Sequence, residues 1–141
     1  MKTVETTRIT VETVVNAPLE KAWKFFNEPE HITQWAFASD DWHAPYAEND
    51  VRTNGKFKTT MAAKDGSFSF DFEGVYTSVV PNKSIAYAMP DGRQVKVEFT
   101  TQGTGTKVTE TFDPESENSL DMQRAGWQAI LDNYRKHVES N

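Results

Sequence analysis

The sequence predicts an α+β fold in which a curved antiparallel β-sheet of about six strands wraps around a long C-terminal helix. Apolar and polar residues alternate over several short segments separated by turn-forming residues, which is typical of antiparallel strands. Two short segments with helical spacing follow the first strand, and a longer amphipathic segment ends the chain. Because that last helix has one apolar face, it must cover the concave face of the sheet.

The first strand and the two short helices lie between residues 9 and 35. Alternation of inward and outward positions over Ile9–Val15 predicts a half-buried strand. Pro18 begins a helix that carries Trp23 on its apolar side. Pro29 ends this helix, because proline disfavours the α conformation of the preceding residue, and it begins a second helix that ends at Trp35.

A long stretch without periodicity, residues 36–54, follows the second helix. It contains Phe37, Trp42 and Tyr46 among Ser, Asp, Pro and Asn residues. Loops of this length are often functional. We therefore expect this segment to be irregular and to form a lid at the opening of a binding site.

Five further strands are predicted between residues 55 and 112, joined by short turns at Gly- and Pro-containing segments. The positions expected to face the final helix are Phe57, Thr59, Met61, Phe68, Phe70, Phe72, Ile85, Tyr87, Met89, Val95, Val97, Phe99, Val108, Glu110 and Phe112. Asn118 or Ser119 caps the final helix. Its apolar stripe consists of Leu120, Trp127, Leu131, Tyr134 and Val138.

Length and composition restrict the class of protein. A chain of 141 residues predicts one domain, residues 1–141, with a core large enough to fold without disulfides. Cysteine is absent, which excludes thiol catalysis and Cys-ligated zinc. A net charge of -6 argues against nucleic acid or an anionic membrane as the main partner. No apolar run reaches membrane-spanning length and no secretory signal is recognisable, so we expect a cytoplasmic protein without membrane insertion.

Many aromatic side chains are expected to converge between the sheet and the final helix. The candidate ligand-binding residues are Trp35, Phe37, Trp42, Tyr46, Phe57, Met61, Phe70, Phe72, Tyr87, Glu110 and Trp127. One interpretation is an apolar cavity for a hydrophobic small molecule. The other is that these rings fill a solid core, since most alternating Phe residues in proteins do so.

Glu110 is the most unusual of these residues, because its position between Val108 and Phe112 turns it toward the apolar interior. A buried carboxylate is costly unless it is paired, neutralised or hydrated. It is therefore either an anchor for a ligand or a general acid or base. The structural alternatives are a pairing with Arg93, Arg124 or Gln123, or a bulge that turns Glu110 outward.

No other group of residues carries recognisable chemistry. Asp40, Asp41 and His43 are too few and too irregularly placed for a zinc or iron site. No catalytic triad, phosphate-binding loop or nucleotide fingerprint is present in the sequence. We therefore predict no catalytic residue, no metal ion and no cofactor.

Three segments of the sequence carry a resemblance to known proteins. The first runs from Ala17 to Trp35, the second is Asn54–Lys58, and the third is Gly126–Tyr134. They resemble the START-like helix-grip superfamily (SRPBCC) and, more narrowly, the family related to the C-terminal domain of the activator of the heat shock protein 90 ATPase. In the second segment Asn54 stands where the family often has the first glycine of a pair. The resemblance covers nearly the whole chain and implies a helix-grip fold.

Function follows less directly from this resemblance, because one fold serves many functions. Related helix-grip proteins bind lipids, sterols, polyketides or hormones, and some catalyse reactions. We expect non-catalytic binding of a hydrophobic small molecule by a monomer or weak homodimer. The alternatives are a chaperone-associated protein of the stress response, as the family name implies, and a cyclase- or dehydratase-type enzyme that uses the same cavity.

Overall fold

Seven strands and three helices make up the computed structural model, which describes residues 8–141. In chain order they are β1 (Ile9–Val15), α1 (Leu19–Asn27), α2 (Pro29–Trp35), β2 (Trp42–Asn49), β3 (Lys56–Ala63), β4 (Ser69–Val80), β5 (Ser84–Ala88), β6 (Gln94–Gln102), β7 (Gly105–Phe112) and α3 (Leu120–Ser140). The predicted α+β architecture, with two short helices after the first strand and a long final helix, is confirmed.

The strands form one curled antiparallel sheet in the order β1-β7-β6-β5-β4-β3-β2. Consecutive strands from β2 to β7 are neighbours, while β1 crosses to the far edge and pairs with β7. Alternate residues of β1 are buried, as the sequence pattern predicts. Helix α3 packs against β1, and Ile9, Val11 and Val15 of β1 are buried at this end of the sheet.

One exposed hydrogen bond caps α3, and two buried hydrogen bonds fix the helices relative to one another. Ser119 caps α3 by accepting from the backbone N–H of Met122. The Tyr134 hydroxyl of α3 donates to the carbonyl of Ala22 in α1 over 2.6 Å. The Trp35 indole N–H donates to the carbonyl of Phe25 over 3.0 Å. These contacts tie the helices together and fix where their apolar side chains meet the sheet.

The prediction of an irregular loop over residues 36–54 is wrong for its central part, which forms an additional strand, β2. Trp42–Asn49 pairs with β3, and its register shifts between His43 and Tyr46. Pro45 lies in this irregular part, and prolines within sheets are confined to edge strands and bulges. Polar residues and the bulge break the alternation that identifies a strand, so the sequence pattern hides β2.

Strand β4 also departs from the expected pattern near its start. Phe68 precedes the strand and is 59% exposed, and Phe70 is 43% exposed. The register irregularity lies between Tyr76 and Ser78 rather than at Gly74. Gly74 is instead required by packing. A Cβ atom there would lie 2.8 Å from the Ala88 carbonyl oxygen and 2.9 Å from the Phe57 ring.

We expect Gly74→Ala to destabilise the protein by about 1–3 kcal/mol, the usual cost of overpacking, because backbone and ring must move apart. Gly126→Ala is the matched control, since a Cβ atom at this position of α3 meets nothing within 4 Å. It should stabilise the protein by about 0.5–1 kcal/mol through helix propensity. Urea unfolding of both variants measures the two effects, and equal signs would contradict this account of Gly74.

Candidate functional site

A cavity of about 300 Å³ lies between the concave face of the sheet, the C-terminal end of α2 and the middle of α3. Its lining residues are Phe26, Asn27, Ile32, Trp35, Ala36, Asn49, Phe57, Thr59, Met61, Phe70, Phe72, Tyr76, Ile85, Tyr87, Met89, Arg93, Glu110, Trp127 and Ile130. Most of these side chains are apolar and a few are polar, as in sites for small molecules.

Eight of the candidate residues predicted from the sequence line this cavity: Trp35, Phe57, Met61, Phe70, Phe72, Tyr87, Glu110 and Trp127. Inward-facing positions of β3, β4, β5 and β7 supply most of them, because side chains on alternate strand positions share one face of a sheet. Trp35 is the last residue of α2, and Trp127 lies on α3.

The lid predicted from Phe37, Trp42 and Tyr46 is not seen at the cavity, because none of the three residues lines it. Tyr46 pairs with Thr60 and shares its outer face, where the Tyr46 hydroxyl donates to Glu48 over 2.6 Å. Trp42 lies beside the cavity wall, with its ring centroid 6.0 Å from that of Phe70. Strand β2 holds Trp42 and Tyr46 along the sheet edge, whereas Phe37 lies between α2 and β2, where its backbone carbonyl accepts from Asn133.

The aromatic rings of the cavity pack against one another mostly edge to face. Trp127 stacks on Phe112 at a centroid distance of 3.8 Å and meets Phe72 edge-on at 5.9 Å. Phe57 contacts Tyr87 at 4.7 Å and Phe72 at 5.8 Å. These contacts form a continuous aromatic wall from α3 across β4 to β3 and β5.

Glu110 is buried, as the alternation along β7 predicts, and lines the cavity. Its neighbours across the sheet are Val11 on β1 and Val97 on β6. Burial alone raises the pKa of Glu110 to about 8, and no hydrogen bond or charge from the described residues offsets it. Glu110 therefore carries a proton more often than not at neutral pH.

The structural partners considered for Glu110 are all engaged elsewhere. Arg93 lines the cavity, but its Nε donates to Asp91 over 2.7 Å. Arg124 lies 3.6 Å from Asp121 on the surface of α3. Gln123 bonds the backbone around Glu115 and Asn118, which closes the turn before α3. None of these three side chains therefore pairs with Glu110 in the structure.

Residues 16–139 match the family described as Activator of Hsp90 ATPase homolog 1-like protein. The chain belongs to this family. The match covers most of the chain and includes all three segments that carried the resemblance.

Solved structures of the same kind have closely similar folds. An AHSA1-like protein from Aeromonas hydrophila is 41% identical with a TM-score of 0.89, over 95% of this chain and 93% of that chain. A protein from Cytophaga hutchinsonii is 51% identical with a TM-score of 0.82, at the same coverage of 95% and 93%. A Nitrosomonas europaea protein shares the fold at 17% identity, with a TM-score of 0.83 over 99% of both chains. Among curated proteins, no match was found.

The three segments that carried the resemblance to the Activator of Hsp90 ATPase homolog 1-like family have definable roles in the structure. Asn54 adopts a positive φ of 72°, a conformation that favours glycine and that Asn tolerates, which explains an Asn at this position. The final-helix segment brings Trp127 and Ile130 to the cavity. The first segment contributes Trp35 at its end, so conformation and cavity shape together account for the motifs.

One polar cluster of the cavity was missed by the sequence reasoning. The Tyr76 hydroxyl donates to Asn49 Oδ1 over 2.5 Å, and Asn49 Nδ2 donates to the Asn27 carbonyl over 2.7 Å. The Asn27 side chain donates through Nδ2 to the Trp23 carbonyl, which leaves Oδ1 buried without a hydrogen-bond partner among the described residues. Recognition of β2 would have revealed this cluster, since Asn49 is its last residue.

Outside the cavity, the structure has few features that bear on binding. Side-chain atoms of Glu28, Glu30 and His31 that could coordinate a metal ion lie within 4.8 Å of one another near the start of α2. His31 Nδ1 lies 3.0 Å from His137 Nε2, so one of its ring nitrogens is already hydrogen-bonded. Across residues 8–141, no helix combines the length and apolar character needed to cross a membrane.

Proposed function

We propose that this protein binds a hydrophobic small molecule in the cavity without chemically changing it. The observation that supports this best is the cavity itself, about 300 Å³ in volume and walled mainly by aromatic and aliphatic side chains. Such a space is within the size range of sites that enclose most of a small ligand's surface.

The uneven packing of the protein supports the same function. Around β1, β6 and β7 the core is complete, with Ile9, Val97 and Val108 fully buried. At the cavity end, Phe72 and Trp127 are only half-buried, although large rings gain the most from burial. A bound apolar molecule supplies the contacts that these rings lack in the free protein.

Native mass spectrometry of freshly purified protein tests this function. We expect an added mass that is lost on denaturation, and we expect the cavity-filling variant Met61→Trp to lose it. Met122→Trp is the matched control, because Met122 is 64% exposed on α3 and lies outside the cavity lining. A protein without added mass that also fails to bind any hydrophobic probe, or equal binding by both variants, would contradict the proposal.

Glu110 supports one alternative, a cyclase- or dehydratase-type enzyme. A carboxyl group with a pKa near neutrality inside an apolar cavity is suited to general acid catalysis. The two functions differ in what happens to the bound molecule. If the molecule is recovered unchanged after long incubation with the protein, binding is favoured. If its mass or structure changes and Glu110→Gln stops the change, catalysis is favoured.

A further inference from the structure

We propose that the natural ligand is a hydrophobic amine, bound with its protonated nitrogen against Glu110 and its apolar body against the aromatic wall. This inference rests on the proposed function and adds the chemical class of the ligand. It follows from the polar groups that the cavity leaves unpaired, from the charge of its lining and from the aromatic rings beside Glu110.

Glu110 is the first step of the argument. Its side chain is more than nine-tenths buried, lines the cavity and lacks a cation or hydrogen-bond donor from the described residues. A carboxylate in this position is stabilised by a donor that arrives with the ligand. An ammonium group supplies both the charge and the hydrogen bond, and charge-assisted bonds are the strongest of their kind.

The other polar groups of the cavity point to the same chemistry. Tyr76 and Asn49 already donate to protein acceptors, and the Arg93 guanidinium is held by Asp91. The Glu110 carboxyl group has no hydrogen-bond or charge partner from the described residues, and once ionised it is an acceptor that faces the cavity. An ionised Glu110 therefore favours a ligand that carries N–H donors over one that carries only acceptors.

The aromatic wall suits a cationic headgroup as well as an apolar body. Trp127 lies on Phe112, two residues along β7 from Glu110 and on the same face of the strand. Burial chiefly raises the pKa of the Tyr87 phenol, and the charge of Glu110 nearby raises it further. A cation held by Glu110 thus lies among π-faces, which attract positive charge.

When Glu110 is ionised, as in the proposed ion pair with an amine, no other titratable group around it outweighs its charge. Tyr87 on β5 and Tyr134 on α3 face it, and burial raises the pKa of both phenols so that they stay neutral. Arg93 is the one basic residue of the lining, and Asp91 balances its charge. Among the described lining residues there is no His, Lys or second carboxylate.

Three probes with one apolar body and different headgroups test the ligand class: phenylbutylamine, phenylbutanol and phenylbutyrate. Binding is measured by isothermal titration calorimetry and by NMR shifts of cavity residues. We expect the amine to bind at least about tenfold more tightly than the alcohol, and the acid to bind most weakly, since one charged hydrogen bond is worth this much. Equal affinities of amine and alcohol would overturn the amine proposal and leave hydrophobic binding intact, whereas binding of none would overturn both.

Glu110→Gln removes the charge and keeps the shape. It should lower the affinity for phenylbutylamine by about tenfold or more and change that for phenylbutanol by less than about threefold. Glu98→Gln is the control, because Glu98 is exposed on the outer face of β6. An unchanged amine affinity in folded Glu110→Gln would overturn the assignment.

The pH dependence of the unmodified protein gives the same information if Glu110→Gln does not fold. Below the raised pKa of Glu110, an ammonium group must displace the carboxyl proton, which passes to solvent. Amine affinity should therefore fall by about tenfold from pH 7 to pH 6, while that of the alcohol stays constant. Calorimetry in two buffers of different ionisation enthalpy should detect proton release only with the amine, and its absence would contradict the ion pair.

Discussion

Glu110 should make the folded protein less stable as the pH rises through neutrality, and Glu110→Gln should remove this effect. Burial raises the pKa of Glu110 from 4.5 to about 8, so the folded state holds this proton more tightly than the unfolded state. The destabilisation begins as pH passes the unfolded value and is complete above the folded one. At pH 7 it is on the order of 3 kcal/mol, because each pKa unit corresponds to about 1.4 kcal/mol.

The measurement is the free energy of urea unfolding from pH 4 to pH 9 for the parent protein, Glu110→Gln and the control Glu98→Gln. Other carboxyl groups, such as Asp91 and Glu115, have lowered pKa values and act in the opposite direction. Only the difference between parent and variant isolates Glu110. We expect Glu110→Gln to be the most stable of the three at pH 7, and a clear loss of stability would mean that the carboxylate is paired.

The parts of the fold that sequence reasoning predicted are those with local periodicity. Alternation along β7 turned Glu110 inward, and Ser119 fell at the start of a recognisable amphipathic helix. Strand β2 was not predicted, because its bulge and Pro45 interrupt the alternation of apolar and polar residues. The sequence pattern therefore missed β2 and did not predict that Trp42 and Tyr46 lie on an edge strand, although the architecture is confirmed.

Contacts between distant segments were beyond the reach of sequence patterns. The bond between His31 and His137 joins residues 106 positions apart, and the one between Tyr76 and Asn49 depends on the pairing of β2 with β3. The cavity could not be predicted for the same reason, because its lining residues come from distant segments of the chain. Periodicity identifies which residues face inward, but the space between them depends on the curvature of the sheet and the position of α3.

Trp127→Ala should separate packing from binding most clearly. The ring stacks on Phe112 and contacts Phe72 with its edge. It is only half-buried, because it also lines the cavity. A fully packed Trp costs about 3–5 kcal/mol when it is truncated to Ala. We expect a smaller loss here, about 2 kcal/mol, because one side of the ring has few contacts to lose.

Ligand affinity should respond more strongly than stability. Loss of the ring removes a large part of the aromatic wall, and we expect the affinity for phenylbutylamine to fall at least about tenfold. Trp23→Ala is the matched control, since Trp23 is also half-buried, meets Phe99 edge-on at 5.2 Å and lies outside the cavity lining. It should lose comparable stability and keep its affinity. A loss of 3–5 kcal/mol in Trp127→Ala with unchanged affinity would identify Trp127 as a core residue, because truncation of a fully packed Trp costs about this much.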